Sequence, residues 1–218
     1  MHYFKDRSEA GRLLAEKIKA KGGFYVNPAV IALNEGGVLV GAELARTLHA
    51  TMYILETENI DIPGEGTAGI ASSEGNFTYS SMYSAGQVEE MKSDYHQVID
   101  QERLRAFQKL NRIIGRDGVI KKQLLKRHEI ILVSDGLKDP LKLEIAVDYL
   151  KPIAARKIII ATPIATLPVV DRMHLAADEL FCLGVIDNYM TTDHYYEENN
   201  LPTHEQAVDI TQKIVLNW

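Results

Sequence analysis

Short apolar runs alternate along the chain with stretches in which apolar positions recur every three to four residues. The runs at 29–33, 130–133 and within 157–162 lack the two-residue alternation of a half-exposed strand. They are typical of strands that are buried on both faces of a parallel sheet. Two more strands are predicted at 51–56 and 179–184. Because strand and helix patterns alternate, we predict an α/β fold with a doubly wound, mainly parallel sheet.

The helical stretches carry start and stop signals. Asp6, with Glu9 three residues later, is predicted to cap a first helix that stops at residues 22–23, which are both glycine. A second helix is predicted over 38–50, after a Gly-Gly turn at 34–37. Further helices are predicted at 85–114, 140–150 and 169–177.

The middle of the chain interrupts this alternation. Residues 66–81 alternate apolar and polar positions around a Glu-Gly-Asn turn, which predicts a β-hairpin. The long helix predicted at 85–114 follows, with an imperfect apolar stripe. We therefore predict a single domain over 1–218, in which 60–127 forms an inserted or peripheral hairpin and helical region.

Composition excludes some classes of function and of location. The formal net charge of −6 argues against a nucleic-acid-binding protein, since phosphate contacts need clustered Lys and Arg. The single cysteine, Cys182, permits no internal disulfide and fits a reducing compartment. The chain has no apolar run of 18 residues, so we predict a cytoplasmic protein without membrane contact. The seven histidines show no metal-ligand spacing, and no metal site is predicted.

Two loops follow predicted strands and have the composition of ligand sites. Ligands of parallel α/β sheets bind at the carboxyl ends of the strands. The first loop, Asn-Glu-Gly-Gly at 34–37, allows close backbone approach. The second, Ser-Asp-Gly-Leu-Lys-Asp-Pro at 134–140, places an acid and a glycine before a helix N-terminus. A structural interpretation is also open, because Asp139 and Pro140 suit the start of a helix.

Four stretches resemble the type I phosphoribosyltransferases, in particular the small bacterial branch described as predicted phosphoribosyltransferases. They occur in order between residues 4 and 184 and read FKDRSEAGRLLAEKI, VIALNEGGVLVGAELARTL, EIILVSDG and AADELFCLG. The resemblance implies the fold of that family. It also implies a site for phosphoribosyl pyrophosphate.

The resemblance places the family's functional loops on particular residues. The two acids that hold the ribose fall on Ser134 and Asp135, so that Asp135 is the implied catalytic residue. The loop that holds the 5-phosphate falls between Gly136 and Lys142, and the turn that meets pyrophosphate falls at 34–37. The implied ligand-binding residues are Glu35, Gly36, Gly37, Ser134, Gly136, Leu137, Lys138, Asp139 and Lys142.

Both loops depart from the family pattern in ways that weaken phosphate binding. Pro140 lacks an N–H, and a lost donor to a charged acceptor costs about 1.5–3 kcal/mol. The Asp139 carboxylate at about 5 Å from a phosphate would cost roughly 3 kcal/mol per unit charge at an effective dielectric near 20. Together the loss is on the order of 5 kcal/mol, or three to four decades of affinity. Glu35 places a negative side chain where the family has a positive one.

Two hypotheses follow from these departures. In the first, the chain keeps the family fold with a degenerate phosphoribosyl pyrophosphate site, weak or lost catalysis and a binding or regulatory role. In the second, it is an active Mg2+-dependent transferase that moves the 5-phosphoribosyl group to a nitrogenous acceptor. A small phosphorylated ligand and a homodimer are the expected partners under either hypothesis.

Overall fold

The computed structural model describes residues 3–22, 25–73, 75–114, 120 and 122–216. The strands are β1 (Pro28–Ala32), β2 (Thr51–Ile54), β3 (Thr57–Ile62), β4 (Gly66–Ser72), β5 (Phe77–Tyr79), β6 (Glu129–Val133), β7 (Lys157–Ala165) and β8 (Glu179–Val185). The helices are α1 (Arg7–Ala20), α2 (Glu35–Leu48), α3 (Ala85–Asp94), α4 (His96–Ile114), α5 (Leu141–Leu150), α6 (Leu167–Ala176) and α7 (His204–Leu216). Single 3-10 turns occur at Lys122–Leu125 and Thr192–Tyr195.

The main sheet contains five strands in the order β2-β1-β6-β7-β8, and all its neighbouring pairs are parallel. Successive residues of a strand contribute to two different apolar clusters. On β6, Ile131 and Val133 belong to one cluster, while Ile130 and Leu132 belong to the other. The continuous apolar runs thus reflect burial on both faces. The predicted mainly parallel α/β fold is confirmed.

Helices cover both faces of this sheet. Leu14 of α1, Leu44 of α2 and Ile214 of α7 pack in the first cluster. Tyr149 of α5 and Met173 of α6 pack in the second cluster on the opposite face. Within the described parts of the chain, none of the helices has the length and apolar character needed to span a membrane.

The predicted helix start at Asp6 is confirmed, whereas α5 begins at Leu141, one residue later than predicted, with Pro140 rather than Asp139 at its N-cap position. Asp6 Oδ1 accepts a hydrogen bond of 2.7 Å from the N–H of Glu9. Asp139 Oδ1 accepts one of 3.0 Å from the N–H of Leu141, and Pro140 between them already has helical backbone angles. The predicted stop of α1 at Gly22 is confirmed by its positive φ of 77°. Its neighbour Gly23 lies outside the described residues.

A second layer, which we call the cap, consists of β3, β4, β5, α3 and α4. Its three strands form an antiparallel sheet in the order β3-β4-β5. The predicted hairpin is confirmed as β4 and β5, although Glu74 in its turn lies outside the described residues. Strand β3 was missed because only Ile60 and Ile62 among its six residues are apolar. The predicted boundaries of the inserted region, 60–127, remain a prediction.

The prediction of one long helix at 85–114 is wrong. The helix is interrupted at Tyr95, whose φ of −118° and ψ of 15° leave the helical region. Met91 before the break and Ile99 and Leu110 after it all pack into the core of the cap. The imperfect apolar stripe therefore belongs to two helices, each of which directs its own face toward the small sheet.

Helix α5 connects the main sheet with the cap. Its Leu141 and Ile145 pack against Ile70 of β4. On its polar side, Asp148 Oδ2 accepts a hydrogen bond of 2.8 Å from the Thr78 hydroxyl of β5. The helix that follows the second candidate loop thus also supports the cap.

Close packing of α1 on α2 predicts a strong effect at Gly11. A Cβ at Gly11 would lie 2.6 Å from the carbonyl oxygen of Val40, a backbone atom that cannot rotate away. We expect Gly11→Ala to lower the free energy of unfolding by about 1–3 kcal/mol, despite the better helix propensity of alanine. Urea denaturation measures this change. Gly86→Ala is the matched control, because a Cβ on Gly86 in α3 meets nothing within 4 Å. The prediction fails if both variants are equally stable.

Candidate functional site

Two adjoining cavities lie at the carboxyl edge of the main sheet, where β1 and β6 run side by side. The first, of about 380 Å3, separates this edge from the cap, and Asn59, Thr67, Ser80 and Tyr83 line it on the cap side. The second, of about 450 Å3, extends from Lys142 toward the start of α7 at His204. Asn34, Lys142 and Thr192 line both cavities. Both candidate loops therefore lie at one composite cleft.

A buried ion pair lies beneath this cleft. Asp135 follows β6 and Arg7 begins α1, and the side chain of each is 2% exposed. Arg7 Nε donates a hydrogen bond of 2.7 Å to Asp135 Oδ2. The guanidinium also bonds Asn199 Oδ1 at 3.2 Å and Asp193 Oδ1 at 2.5 Å. It lies over the ring of Tyr196, with its Cζ 4.4 Å from the ring centroid.

The other carboxylate oxygen of Asp135 is bonded to Asn34. Asn34 Nδ2 donates to Asp135 Oδ1 at 2.6 Å, while Asn34 Oδ1 accepts the N–H of Gly37 at 2.9 Å. Asn34 thus caps α2 and fixes Asp135 with the same amide. The Tyr196 hydroxyl donates to the backbone oxygen of Asp135 at 2.5 Å. Both carboxylate oxygens of the predicted catalytic residue are therefore bonded inside the protein.

Electrostatics in this network favour a charged pair and neutral phenols. Burial lowers the pKa of Arg7, but attraction to Asp135 and hydrogen bonds to Asp135 and Asp193 outweigh it, and the pKa is raised. Burial, and then the charge of Asp135, raise the pKa of Tyr196. Burial raises the pKa of the nearby Tyr189 to about 12. Both phenols remain protonated at neutral pH, and the Tyr196 hydroxyl acts as a hydrogen-bond donor.

The predicted turn at 34–37 is wrong, because Glu35, Gly36 and Gly37 form the first turn of α2. A Cβ on Gly36 would lie 2.0 Å from Asp135 Oδ2 and 2.8 Å from Arg7 Nε. Glycine at this position is needed for the close approach of α2 to the ion pair. The two glycines therefore have a packing role that the sequence pattern did not indicate.

The start of the second loop is used for internal bonds. Ser134 is 1% exposed, and its Oγ lies 3.0 Å from the backbone oxygen and 3.3 Å from the nitrogen of Gly136. Leu137 is buried in the core, and its N–H donates to the Ile164 oxygen at 3.0 Å. Its oxygen accepts the N–H of Thr166 at 3.1 Å. The predicted ligand residues Ser134, Gly136 and Leu137 thus tie the loop to the sheet.

The end of the second loop faces the cleft. Lys138 and Asp139 are exposed and Lys142 is half-buried, and all three line the first cavity. The Asp139 carboxylate accepts the N–H of Leu141, the first residue of α5. Lys142 also lines the second cavity. The structure therefore brings Lys138, Asp139 and Lys142 together with Glu35 and Gly36 around the composite cleft.

A further polar cluster borders the second cavity. Glu35 begins α2, Glu56 follows β2 and His204 begins α7. Their ligand-type atoms all lie within 4.8 Å of one another. Burial, and to a lesser extent the charge of Glu35, raise the pKa of Glu56, while His204 and Lys142 act in the opposite direction. No pattern in the sequence indicated this cluster, because its members are far apart in the chain.

Comparison with known proteins finds relatives that are similar to this chain in sequence. The chain is 27% identical over 217 residues to a Mycobacterium tuberculosis protein that is provisionally named a phosphoribosyl transferase in each of two strains. The alignment covers 95% of this chain and 46% of each relative, so the chain spans about half the length of the curated relatives it matches. This chain is therefore similar in sequence, over most of its length, to proteins that are provisionally named phosphoribosyl transferases. No family model matches it.

Two solved structures share the fold of this chain. The protein TT1426 from Thermus thermophilus superposes with a TM-score of 0.73 and 25% identity, covering 100% of this chain and 99% of that one. A hypothetical protein from Neisseria gonorrhoeae, whose structure contains ppGpp, superposes with a TM-score of 0.51. It is 13% identical, with coverage of 99% and 94%, and shares the fold alone.

The buried pair predicts that Asp135 is important for stability. Asp135→Asn leaves Arg7 without its buried charged partner and with only the half-exposed carboxylate of Asp193, so we expect the free energy of unfolding to fall by about 3–5 kcal/mol. Chemical denaturation followed by circular dichroism measures the loss. Asp209→Asn, which removes the exposed partner of Lys213 on α7, is the control and should change stability by no more than about 0.5 kcal/mol. A loss below about 1 kcal/mol for Asp135→Asn contradicts the structural role of the pair.

Proposed function

We propose that this chain binds a small phosphorylated ligand in the composite cleft and has weak or no phosphoribosyl transfer activity. Its role is then one of binding or regulation within the phosphoribosyltransferase family. The observation that carries this proposal is the state of Asp135. The family resemblance implies that Asp135 holds the ribose, but this residue is 2% exposed. One of its carboxylate oxygens is bonded to Arg7 and the other to Asn34.

Rearranging Asp135 to receive a ribose would be unfavourable. A carboxylate that leaves this position removes the buried partner of the Arg7 guanidinium and leaves it only the half-exposed Asp193, and breaking a buried pair costs several kcal/mol. Ser134, at the position of the other family acid, is 1% exposed and lacks a carboxylate. The states of these two residues support the proposal that the chain does not hold the two ribose hydroxyls of phosphoribosyl pyrophosphate. Transfer of the phosphoribosyl group depends on that contact.

The phosphate-binding part of the cleft has also changed its chemistry. The N–H groups of Gly136, Leu137 and Leu141 are bonded to protein acceptors, and Pro140 has none. A nest of free backbone donors is thus replaced by the ammonium groups of Lys138 and Lys142 at the cleft surface. Side-chain ammonium groups bind phosphate as point charges with little geometric selectivity. This favours a simple phosphate ester over phosphoribosyl pyrophosphate.

The cap completes the proposed site with neutral polar groups. Asn59, Thr67, Ser80 and Tyr83 face the same cavity as the two lysines. Amide and hydroxyl groups of this kind bind sugar hydroxyls or the polar edge of a base. A sugar phosphate or nucleotide therefore fits the cleft, with its phosphate toward α5 and its polar remainder toward the cap. A second copy of the chain is the other partner that we propose, from the family resemblance.

Lys142 provides a direct test of ligand binding. Lys142→Gln should weaken binding of ribose 5-phosphate or a nucleoside monophosphate about tenfold, since one charged contact is worth about 1.5 kcal/mol. Isothermal titration calorimetry measures the affinity. Lys151→Gln is the matched control at the other end of α5, outside both cavities, and should bind like the wild type. Equal affinities for all three proteins, or no binding to the wild type, would refute the proposed site.

The active-transferase alternative makes a different prediction. With Mg2+, phosphoribosyl pyrophosphate and a panel of purine and pyrimidine bases, an active enzyme releases pyrophosphate in a saturable manner. We expect no such release, and we expect phosphoribosyl pyrophosphate to bind no tighter than about millimolar, given a micromolar intact site and the roughly 5 kcal/mol lost in the loops. Saturable release, or low-micromolar binding, would establish the alternative instead.

A further inference from the structure

We propose that Glu35, Glu56 and His204 form a binding site for a divalent transition-metal ion such as Zn2+, Co2+ or Mn2+. The site lies beside the second cavity and is independent of the proposed phosphate-binding function. One ring nitrogen and two carboxylate oxygens lie within 4.8 Å of one another. Three protein donors with an adjoining cavity match sites that leave coordination positions for water or a ligand.

Buried unpaired atoms point to a missing partner at this place. Glu56 Oε1 and His204 Nδ1 are 3.2 Å apart, a distance at which they form an ion pair when His204 is protonated, but neither atom has a hydrogen-bond partner. Among the described residues, five buried side-chain polar atoms lack a hydrogen-bond partner, and these two of the five face each other. Buried polar atoms are nearly always satisfied, by protein, water or an ion. A single cation between them satisfies both.

The three donors are held by separate, rigid parts of the fold. Glu35 is the first residue of α2, and His204 is the first residue of α7, which packs on α2 in the same apolar cluster. Glu56 is fixed by its backbone oxygen, which accepts the N–H of Ser73 at 2.9 Å. Metal–ligand distances of about 2.0–2.2 Å require donor separations of roughly 3–3.5 Å. Small side-chain rotations therefore suffice to close the cluster around an ion.

The donor set selects the class of ion. Imidazole suits Zn2+ and similar late transition-metal ions and carboxylates also suit Mn2+, whereas Mg2+ prefers oxygen ligands and retains several waters. Two carboxylates neutralise a divalent charge, which matters here because Lys142 and the N-terminal ends of α2 and α7 are close by. These positive groups oppose a cation, and the removal of Lys142 should therefore strengthen metal binding.

Metal titration of the full chain, without any phosphorylated ligand, tests the site. Calorimetry with Zn2+ and the visible absorbance of added Co2+ should show one ion per wild-type chain. His204→Gln and Glu56→Gln should each lower the affinity at least a hundredfold. His174→Gln, at an exposed histidine of α6 outside the cluster, is the matched control and should bind like the wild type. Circular dichroism and thermal unfolding in the absence of metal confirm that each variant is folded.

Further measurements keep the inference testable if a buried substitution fails to fold. Glu35→Gln alters a half-buried donor and should also weaken binding, while Lys142→Gln should strengthen it several-fold. Lys142→Gln thus has opposite expected effects on metal and on phosphate, so each proposal can fail without the other. Unchanged Zn2+ affinity in Glu35→Gln or His204→Gln, equal loss in His174→Gln, or no binding to the wild type would overturn the site.

Discussion

The ion pair between Arg7 and Asp135 is the constraint on which the architecture of the cleft depends. It joins Arg7, the first residue of α1, to Asp135 in the loop that follows the central strand β6. The pair is stable only because its remaining hydrogen-bonding capacity is used by Asn34, Asp193 and Asn199. A buried pair that lost any of these partners would leave a charge that the interior does not solvate.

The same pair explains several residues that otherwise look like parts of a ligand site. Gly36 is small because the carboxylate and guanidinium lie against α2. Gly136 is small for a related reason, since a Cβ there would lie 2.2 Å from the Tyr189 hydroxyl. The resemblance to phosphoribosyltransferases implies a ligand-binding role for these glycines, whereas the structure shows that they make room for this network. Glycine in a loop at the edge of a parallel sheet is consistent with both, and the neighbouring side chains decide between them.

A feature was predictable from sequence where the residues that produce it lie close together in the chain. The apolar runs of β1 and β6 and the cap at Asp6 depend on residues a few positions apart, and their patterns were sufficient. The ion pair was not predictable, because 128 positions separate its members and an arginine at a helix start is ordinary on a surface. The break at Tyr95 was missed because its cause is the direction of packing on the cap. The cluster of Glu35, Glu56 and His204 arises only when α7 packs on α2.

Helix α5 has a consequence for the thermodynamics of the ligand binding that we propose. Its N-terminal turn carries Lys142 on one wall of the cleft, and its flank holds the cap through Ile70 and Thr78 on the other. The two walls are thereby fixed relative to each other before any ligand arrives. Association then orders few additional groups, so little conformational entropy is lost. Because the domain does not close around the ligand, binding buries only the surface in contact with the ligand. The heat-capacity change of binding should therefore be small.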